Sequence, residues 1–122
     1  MYFIPILEYA KPKAGEIFWD LGCGAGKPLI TASLAFPELK VCRGIELLEN
    51  LVTLAKEIAT KQKAICKEKQ VTHAPVEVIQ GDIREVDWLD ADIIYLSAVK
   101  YSDDLLAYAS ERLVHLKKGT RI

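Results

Sequence analysis

The sequence predicts an α/β fold built on a doubly wound, mostly parallel sheet. Three observations predict it. Apolar strand-like segments alternate with helix-like segments along most of the chain, a glycine-rich turn follows the first strand-like segment, and the second closes on an acidic residue. Strands separated by helices need crossovers, and right-handed crossovers lay the strands parallel with helices on both faces. The chain has 122 residues, one domain's length, and residues 1–122 are read as one domain. A chain of this size buries roughly two-thirds of its unfolded surface, enough for a core.

The elements follow in order. Glu16 to Asp20 is a short apolar strand entered through the turn-like Lys11-Pro-Lys-Ala-Gly15. After the glycine-rich stretch from Leu21 to Gly26, Pro28 stands where a helix tolerates a missing N–H. Leu29 to Phe36 is apolar nearly all round, so the helix is expected to be well buried, with Pro37 ending it. Val41 to Glu46 is the second strand, and Asn50 is the expected N-cap of a long helix. Leu51, Leu54, Ala55, Ile58, Ala59, Ile65 and Cys66 recur at helical spacing and are expected to face inward. Lys56, Glu57, Lys61, Lys63, Lys67, Glu68 and Lys69 form the opposite, solvated face, with Glu57 and Lys61 in the favourable order. Val76 to Gln80 is the third strand, ending at Gly81-Asp82, and Asp92 to Leu96 the fourth.

Ser102 or Asp103 caps a last helix that runs to about Leu116, with Leu105, Leu106, Ala109, Leu113 and Leu116 inward. Asp103 and Asp104 suit its positive end, Lys117 and Lys118 its negative end, and Gly119 the stop. Thr120-Arg-Ile122 reads as the opening of a fifth strand.

Composition excludes several classes. A net charge of -1 supplies no bulk attraction to nucleic acid or anionic membrane. No apolar run approaches the roughly 18 residues of a membrane span, and the apolar N-terminus lacks the basic region and cleavage site of a signal peptide. Three unpaired-looking cysteines, Cys23, Cys42 and Cys66, argue against a disulfide framework and a zinc site, and fit an intracellular compartment. No metal is expected.

The chemistry centres on Asp20-Leu-Gly22-Cys-Gly24-Ala-Gly26. Glycines at the carboxyl end of a strand allow a tight turn and the close approach of a ligand, and the next helix aims free N–H groups at it. Glu46 follows Gly22 by 24 residues, near the spacing of roughly 20 for an acid that binds ribose hydroxyls in a nucleotide-binding βαβ unit. An acid closing an apolar strand is costly to bury without a partner, which favours a binding role for Glu46 and Asp20. After the third strand, Asp82 can accept a bond from an adenine amino group and Ile83 can offer apolar surface, although Gly-Asp is also a common turn pair. A dinucleotide fingerprint wants its third small residue at position 27, where Lys27 stands. The spacing is G-x-G-x-G, and Asp20 suits a ligand with a positive amino group better than a pyrophosphate.

Other conspicuous residues have plainer readings. His73 and His115 are ordinary surface or half-buried histidines, Cys23 is a small side chain that fits its turn, Trp19 and Trp88 are packing residues, and Glu85, Asp87 and Asp90 form a solvated loop.

Phe18-Trp-Asp-Leu-Gly-Cys-Gly-Ala-Gly26, Gly44-Ile-Glu46 and Gly81-Asp82 together resemble the class I S-adenosylmethionine-dependent methyltransferases, a Rossmann-like fold, over about Gly15 to Ile122. Gly44-Ile-Glu-Leu-Leu-Glu-Asn-Leu51, Asp92-Ile-Ile-Tyr-Leu-Ser97, Tyr101-Ser-Asp-Asp-Leu105 and Leu116-Lys-Lys-Gly-Thr120 resemble, more narrowly, the non-SET histone lysine methyltransferases of the disruptor-of-telomeric-silencing type. The stretch Leu96 to Tyr101 differs in lacking the asparagine that this group often carries. The resemblance implies that Asp20, Gly22, Gly24 and Gly26 hold the methionine portion of S-adenosylmethionine. It implies that Glu46 binds the ribose, Leu47 packs on the adenine, Asp82 and Ile83 meet its edge and face, and Ser97 lies near the sulfonium. The implied acceptor is a protein lysine, in a histone or another protein. No catalytic base stands out, and Ser97 and Tyr101 are lining candidates.

Two further readings stay open: a binding module of the same fold without a complete acceptor site, and a nicotinamide-dependent oxidoreductase domain. Members of this fold usually carry two more strands, so the domain is expected to be incomplete at its C-terminus. An exposed sheet edge would then offer a surface for homodimerisation.

Overall fold

The computed structural model describes residues 7–96 and 103–113, together with 116, 119 and 120. Among the described residues four strands and three helices follow in order, with β3 and β4 joined by a loop: β1 (Ile17–Leu21), α1 (Lys27–Ala35), β2 (Val41–Glu46), α2 (Glu49–Lys69), β3 (Val76–Gln80), β4 (Ile93–Leu96) and α3 (Asp103–Leu113). All pairings are parallel, in the order β3-β2-β1-β4. Phe18 pairs with Cys42 on one side and Ile93 on the other, so β1 lies between strands remote from each other in sequence. The strand order reverses at β1, and the carboxyl ends of all four strands share one edge, the place where open parallel sheets bind ligands.

Alternation along β1 builds a core on each face of the sheet. Phe18 packs with Leu29 and Ala32 of α1, Leu39, Cys42 and Ile93. Trp19 and Leu21 pack with Ile45, Ile83, Trp88, Ile94 and Ala109 of α3. Burial on both faces is what a parallel sheet requires, and both tryptophans are fully packed, at 2% and 0% exposed. Buried Ser33 of α1 donates through Oγ to the Ala74 carbonyl, while the Ala74 N–H donates to the Ser33 carbonyl at 3.0 Å. That reciprocal pair stitches α1 to the entry of β3.

β2 and β3 have the bounds the sequence predicts. β1 runs one residue later than expected because Leu21 still pairs with Ile45 and Leu96. The start of α2 is a larger correction. Leu48, not Asn50, occupies the cap, and the Leu51 and Val52 N–H groups donate to its carbonyl. The Glu46 carboxylate accepts the Leu48 N–H, so the chain turns into the helix two residues early. The buried face of α2 matches the expected one in Ala55 and Cys66 but not throughout. Val52, Ala55 and Cys66 are buried, whereas Leu54 and Ile65 are 44% and 52% exposed. At Ala55 the helix comes close to the start of α1: a Cβ on Gly26 would lie 3.3 Å from the Ala55 Cβ. The lysine-rich face of α2 is exposed as expected.

The loop of Glu85, Asp87 and Asp90 is not simply solvated. Asp90 accepts the Trp19 Nε1–H at 2.7 Å and an Arg43 Nη1–H at 3.0 Å, and Arg43 stacks over the Trp19 ring at 5.6 Å. A buried indole N–H needs an acceptor, and this loop supplies it. Leu116 packs against the second core cluster, and the Thr120 hydroxyl donates to the Ala91 carbonyl at 3.0 Å. The predicted cap Ser102, the cations Lys117 and Lys118, His115, and Arg121-Ile122 of the predicted fifth strand lie outside the described residues. Cys23, Cys42 and Cys66 are buried and in no disulfide. Among the described residues no helix is long and apolar enough to cross a membrane.

Candidate functional site: the carboxyl edge of the sheet

The turn after β1 is shaped by backbone conformation and by two shared hydrogen bonds. Gly22, Gly24 and Gly26 have φ of 88°, 57° and 89°, the left-handed region that costs side chains strain. The N–H groups of Gly22 and Cys23 both donate to the Ile45 carbonyl, at 2.8 and 2.9 Å, which folds the turn back over β2. Gly44 lies beneath it. A Cβ there would sit 2.6 Å from the Leu29 Cδ1 and 2.7 Å from the Cys23 Cβ and Sγ, so the glycine of Gly44-Ile-Glu46 is a packing requirement. Cys23 is the small, inward side chain expected of it, 3% exposed.

Glu46 ties three loops together. Its Oε1 accepts the Gly24 N–H at 2.8 Å, its Oε2 accepts the Leu48 N–H at 3.1 Å, and its backbone carbonyl accepts the Gly81 N–H at 3.0 Å. The carboxylate therefore faces the glycine turn. Each oxygen accepts one backbone donor and retains a further lone pair, since an ionised carboxylate offers about four acceptor sites. Such a group can still accept the two hydroxyls of a vicinal diol.

Asp20 precedes the turn and is buried, 1% exposed. It pairs in register with Gly44 and Tyr95, at the centre of the carboxyl edge. Leu47 and Leu48 stand 60% and 53% exposed directly after Glu46, an apolar surface beside the crevice.

The turn after β3 is built differently from expectation. The Asp82 carbonyl accepts the N–H groups of Glu85 and Val86, and its carboxylate accepts the Arg84 N–H at 2.9 Å and the Arg84 Nε–H at 3.0 Å on each oxygen. Arg84 also ion-pairs with it through Nη2. The guanidinium and the local N–H hold the Asp82 carboxyl below the usual carboxylate range. Ile83 is 5% exposed and packs into the core with Trp88 and Ile94, so little of it faces solvent. Ser97 and Tyr101 lie outside the described residues. The adjacent Leu96 ends β4 on this same edge.

The expected residues Asp20, Gly22, Gly24, Gly26, Glu46, Leu47, Asp82 and Ile83 thus all belong to segments that leave or follow the carboxyl ends of β1, β2 and β3. Three contributors escaped the sequence reading: the Leu48 N–H, the Arg84 side chain and the steric role of Gly44. For Arg84 a signal existed, because an arginine two residues after an acid in a turn reaches back to it.

A parallel 3-2-1-4 sheet, a left-handed glycine turn after β1 and an acid ending β2 define the Rossmann-like fold of class I methyltransferases. The chain belongs to the DOT1 histone methylation protein family, whose model matches residues 2–122. A protein-lysine N-methyltransferase of Saccharolobus islandicus is 28% identical over 118 residues, covering 96% of this chain and 66% of the relative. An H3 lysine-79-specific histone-lysine N-methyltransferase of Aspergillus fumigatus is 24% identical over 124 residues, covering 96% of this chain and 24% of the relative. The chain therefore spans just under two-thirds of one curated relative and a quarter of the other. Among solved structures, an RNA methyltransferase of Salinibacter ruber in complex with S-adenosyl-L-homocysteine superposes with a TM-score of 0.77 at 25% identity, over 98% of this chain and 70% of that one. A methyltransferase of Methanococcus maripaludis superposes with a TM-score of 0.70 at 17% identity, over 97% and 50%, a likeness of fold.

Proposed function

We propose that this chain binds S-adenosylmethionine along the carboxyl edge of its sheet and forms the donor half of a protein-lysine methyltransferase. The observation that carries the reading is the Glu46 carboxylate, held against the glycine turn by Gly24 and Leu48 with acceptor capacity left over. In this reading Gly22, Gly24, Gly26 and Asp20 hold the amino-acid end, Glu46 the ribose hydroxyls, and Leu47, Asp82 and Ile83 the base, with Ser97 beside the sulfonium. The family match and the two lysine-methylating relatives support the acceptor class, a lysine of a histone or another protein.

When bound, the sulfonium supplies an already activated methyl group, so the chain's task is alignment and exclusion of water. Rigid strand ends suit that task. Three hydrogen bonds through Glu46 fix the three loops relative to one another, so the residues that would hold the donor stand in a fixed frame toward an acceptor amine. The buried cysteines, in no disulfide, support a reducing, intracellular setting. The outer edge of β4, last in the described sheet, is the edge on which a second copy would pair. A single monomeric species in size-exclusion chromatography at high concentration would remove that part of the proposal.

Calorimetric titration with S-adenosylhomocysteine and with NAD tests the cofactor. Heat with the former alone is expected, and heat with NAD alone overturns the reading. Transfer of a labelled methyl group is then measured on histones, lysate proteins and total RNA, for this chain and the full-length parent in parallel. Lysine-borne label is expected, and label confined to RNA overturns the acceptor class.

A further inference from the structure

The loop that follows β3 is gripped from outside the site by α3. The Tyr108 hydroxyl donates to the Arg84 carbonyl at 2.8 Å, and an Arg112 Nη1–H donates to the Tyr108 hydroxyl at 3.0 Å. The Arg112 guanidinium lies over the Trp88 ring at 5.4 Å and the Tyr108 ring at 5.8 Å, and its Nη2 approaches Asp87 at 3.9 Å. Trp88, fully buried, donates its Nε1–H to the Ile83 carbonyl at 3.0 Å. Two consecutive carbonyls of the loop, those of Ile83 and Arg84, are thus each fixed by an aromatic side chain, and Arg112 stacks on both aromatics. Asp82 and Ile83 sit at the start of this clamped segment.

We infer that Tyr108 and Arg112 are positioning residues for the base subsite: they set where the Asp82 carboxylate stands and so how well the chain distinguishes an adenine amino group from a carbonyl. The inference rests on the cofactor reading above. Their effect runs through the Arg84 carbonyl and through the Trp88 ring. The arrangement is over-determined at one end only. Asp82 is tied locally to Arg84, but Arg84 is tied to the rest of the molecule through its carbonyl and Tyr108. Losing the Tyr108 hydroxyl removes the tie on the Arg84 carbonyl, in the residue that holds the Asp82 carboxylate, while leaving the Tyr108 ring in place. A planar, stacked arginine is not replaced by lysine, whose compact ammonium neither stacks nor forks.

The test compares wild type, Tyr108→Phe and Arg112→Lys in calorimetric binding of S-adenosylhomocysteine, 5′-methylthioadenosine and S-inosylhomocysteine, with thermal midpoints measured in parallel. One lost hydrogen bond corresponds to roughly a three- to tenfold loss. That loss is expected equally for the two adenine ligands and not for the inosine ligand, so the preference for adenine shrinks. A uniform loss on all three ligands, or unchanged binding with a lowered midpoint, assigns the clamp to stability alone and overturns the inference. Absence of S-adenosylhomocysteine binding by the wild type would instead overturn the cofactor reading.

Discussion

The Glu46 carboxylate accepts the Gly24 N–H at 2.8 Å, so the acid that ends β2 holds the turn that follows β1. The same side chain accepts the Leu48 N–H, which sets the entry into α2. One residue therefore shapes the glycine turn, starts the next helix and offers lone pairs to a ligand.

Glu46→Gln keeps an acceptor for one backbone donor and loses the charge. Charge-assisted hydrogen bonds contribute about 1.5–3 kcal/mol each, so S-adenosylhomocysteine affinity is expected to fall roughly ten- to a hundredfold. Calorimetry measures it. Undiminished affinity would exclude Glu46 from the binding site.

Gly44→Ala places a methyl group 2.6 Å from Leu29 and 2.7 Å from Cys23. Overpacking of this kind costs about 1–3 kcal/mol. Because the clash falls on the turn itself, ligand affinity is expected to drop along with stability. Urea denaturation with and without S-adenosylhomocysteine reads both, and a variant as stable as wild type would contradict the packing described.

Burial pushes the Cys42 thiol up from its ordinary 9.0 to about 12. The folded chain keeps a proton that the unfolded chain releases above pH 9, so folding stability from this group is complete below that value and declines as pH rises toward 12. The decline within that window is about 1.4 kcal/mol per pH unit. Denaturant melts of wild type and Cys42→Ala across about pH 8 to 11 isolate it from other titrating groups. A shallower alkaline loss is expected in the variant, and parallel curves would count against it.

Asp82 has the opposite sign. Arg84 holds its carboxyl below the ordinary range, so the folded chain binds that proton less tightly than the unfolded chain. The stabilising contribution is present above the unfolded value and is lost as pH falls through the folded one. Arg84→Gln is expected to raise the Asp82 titration midpoint toward the ordinary value, followed by carboxyl-carbon NMR. An unmoved midpoint would mean the pair does not persist in solution.

The alternation of elements, the bounds of β2 and β3, and the place of the glycine turn were all legible in the residues, because each depends on short-range periodicity or on backbone freedom at a named glycine. The packing of Trp19 and Trp88 and the inward place of Cys66 were legible for the same reason. What covers a helix was not. Leu54 and Ile65 fit the apolar periodicity of α2 as well as Val52 does, yet Val52 is buried and the other two are exposed, a choice made by what packs against the helix.

Likewise, Asp90 looks like any loop acid until β1 lies between β2 and β4. That pairing brings the indole of Trp19 and the guanidinium of Arg43 to it. The local pattern marked Glu46 and Asp82 as acids at strand ends. The partner of Glu46, the Gly24 N–H 22 residues away, and the Tyr108 hydroxyl that holds the Arg84 carbonyl from 24 residues further on both come from distant segments. Which remote segments meet is settled by packing of the whole sheet, and no window of sequence contains that information.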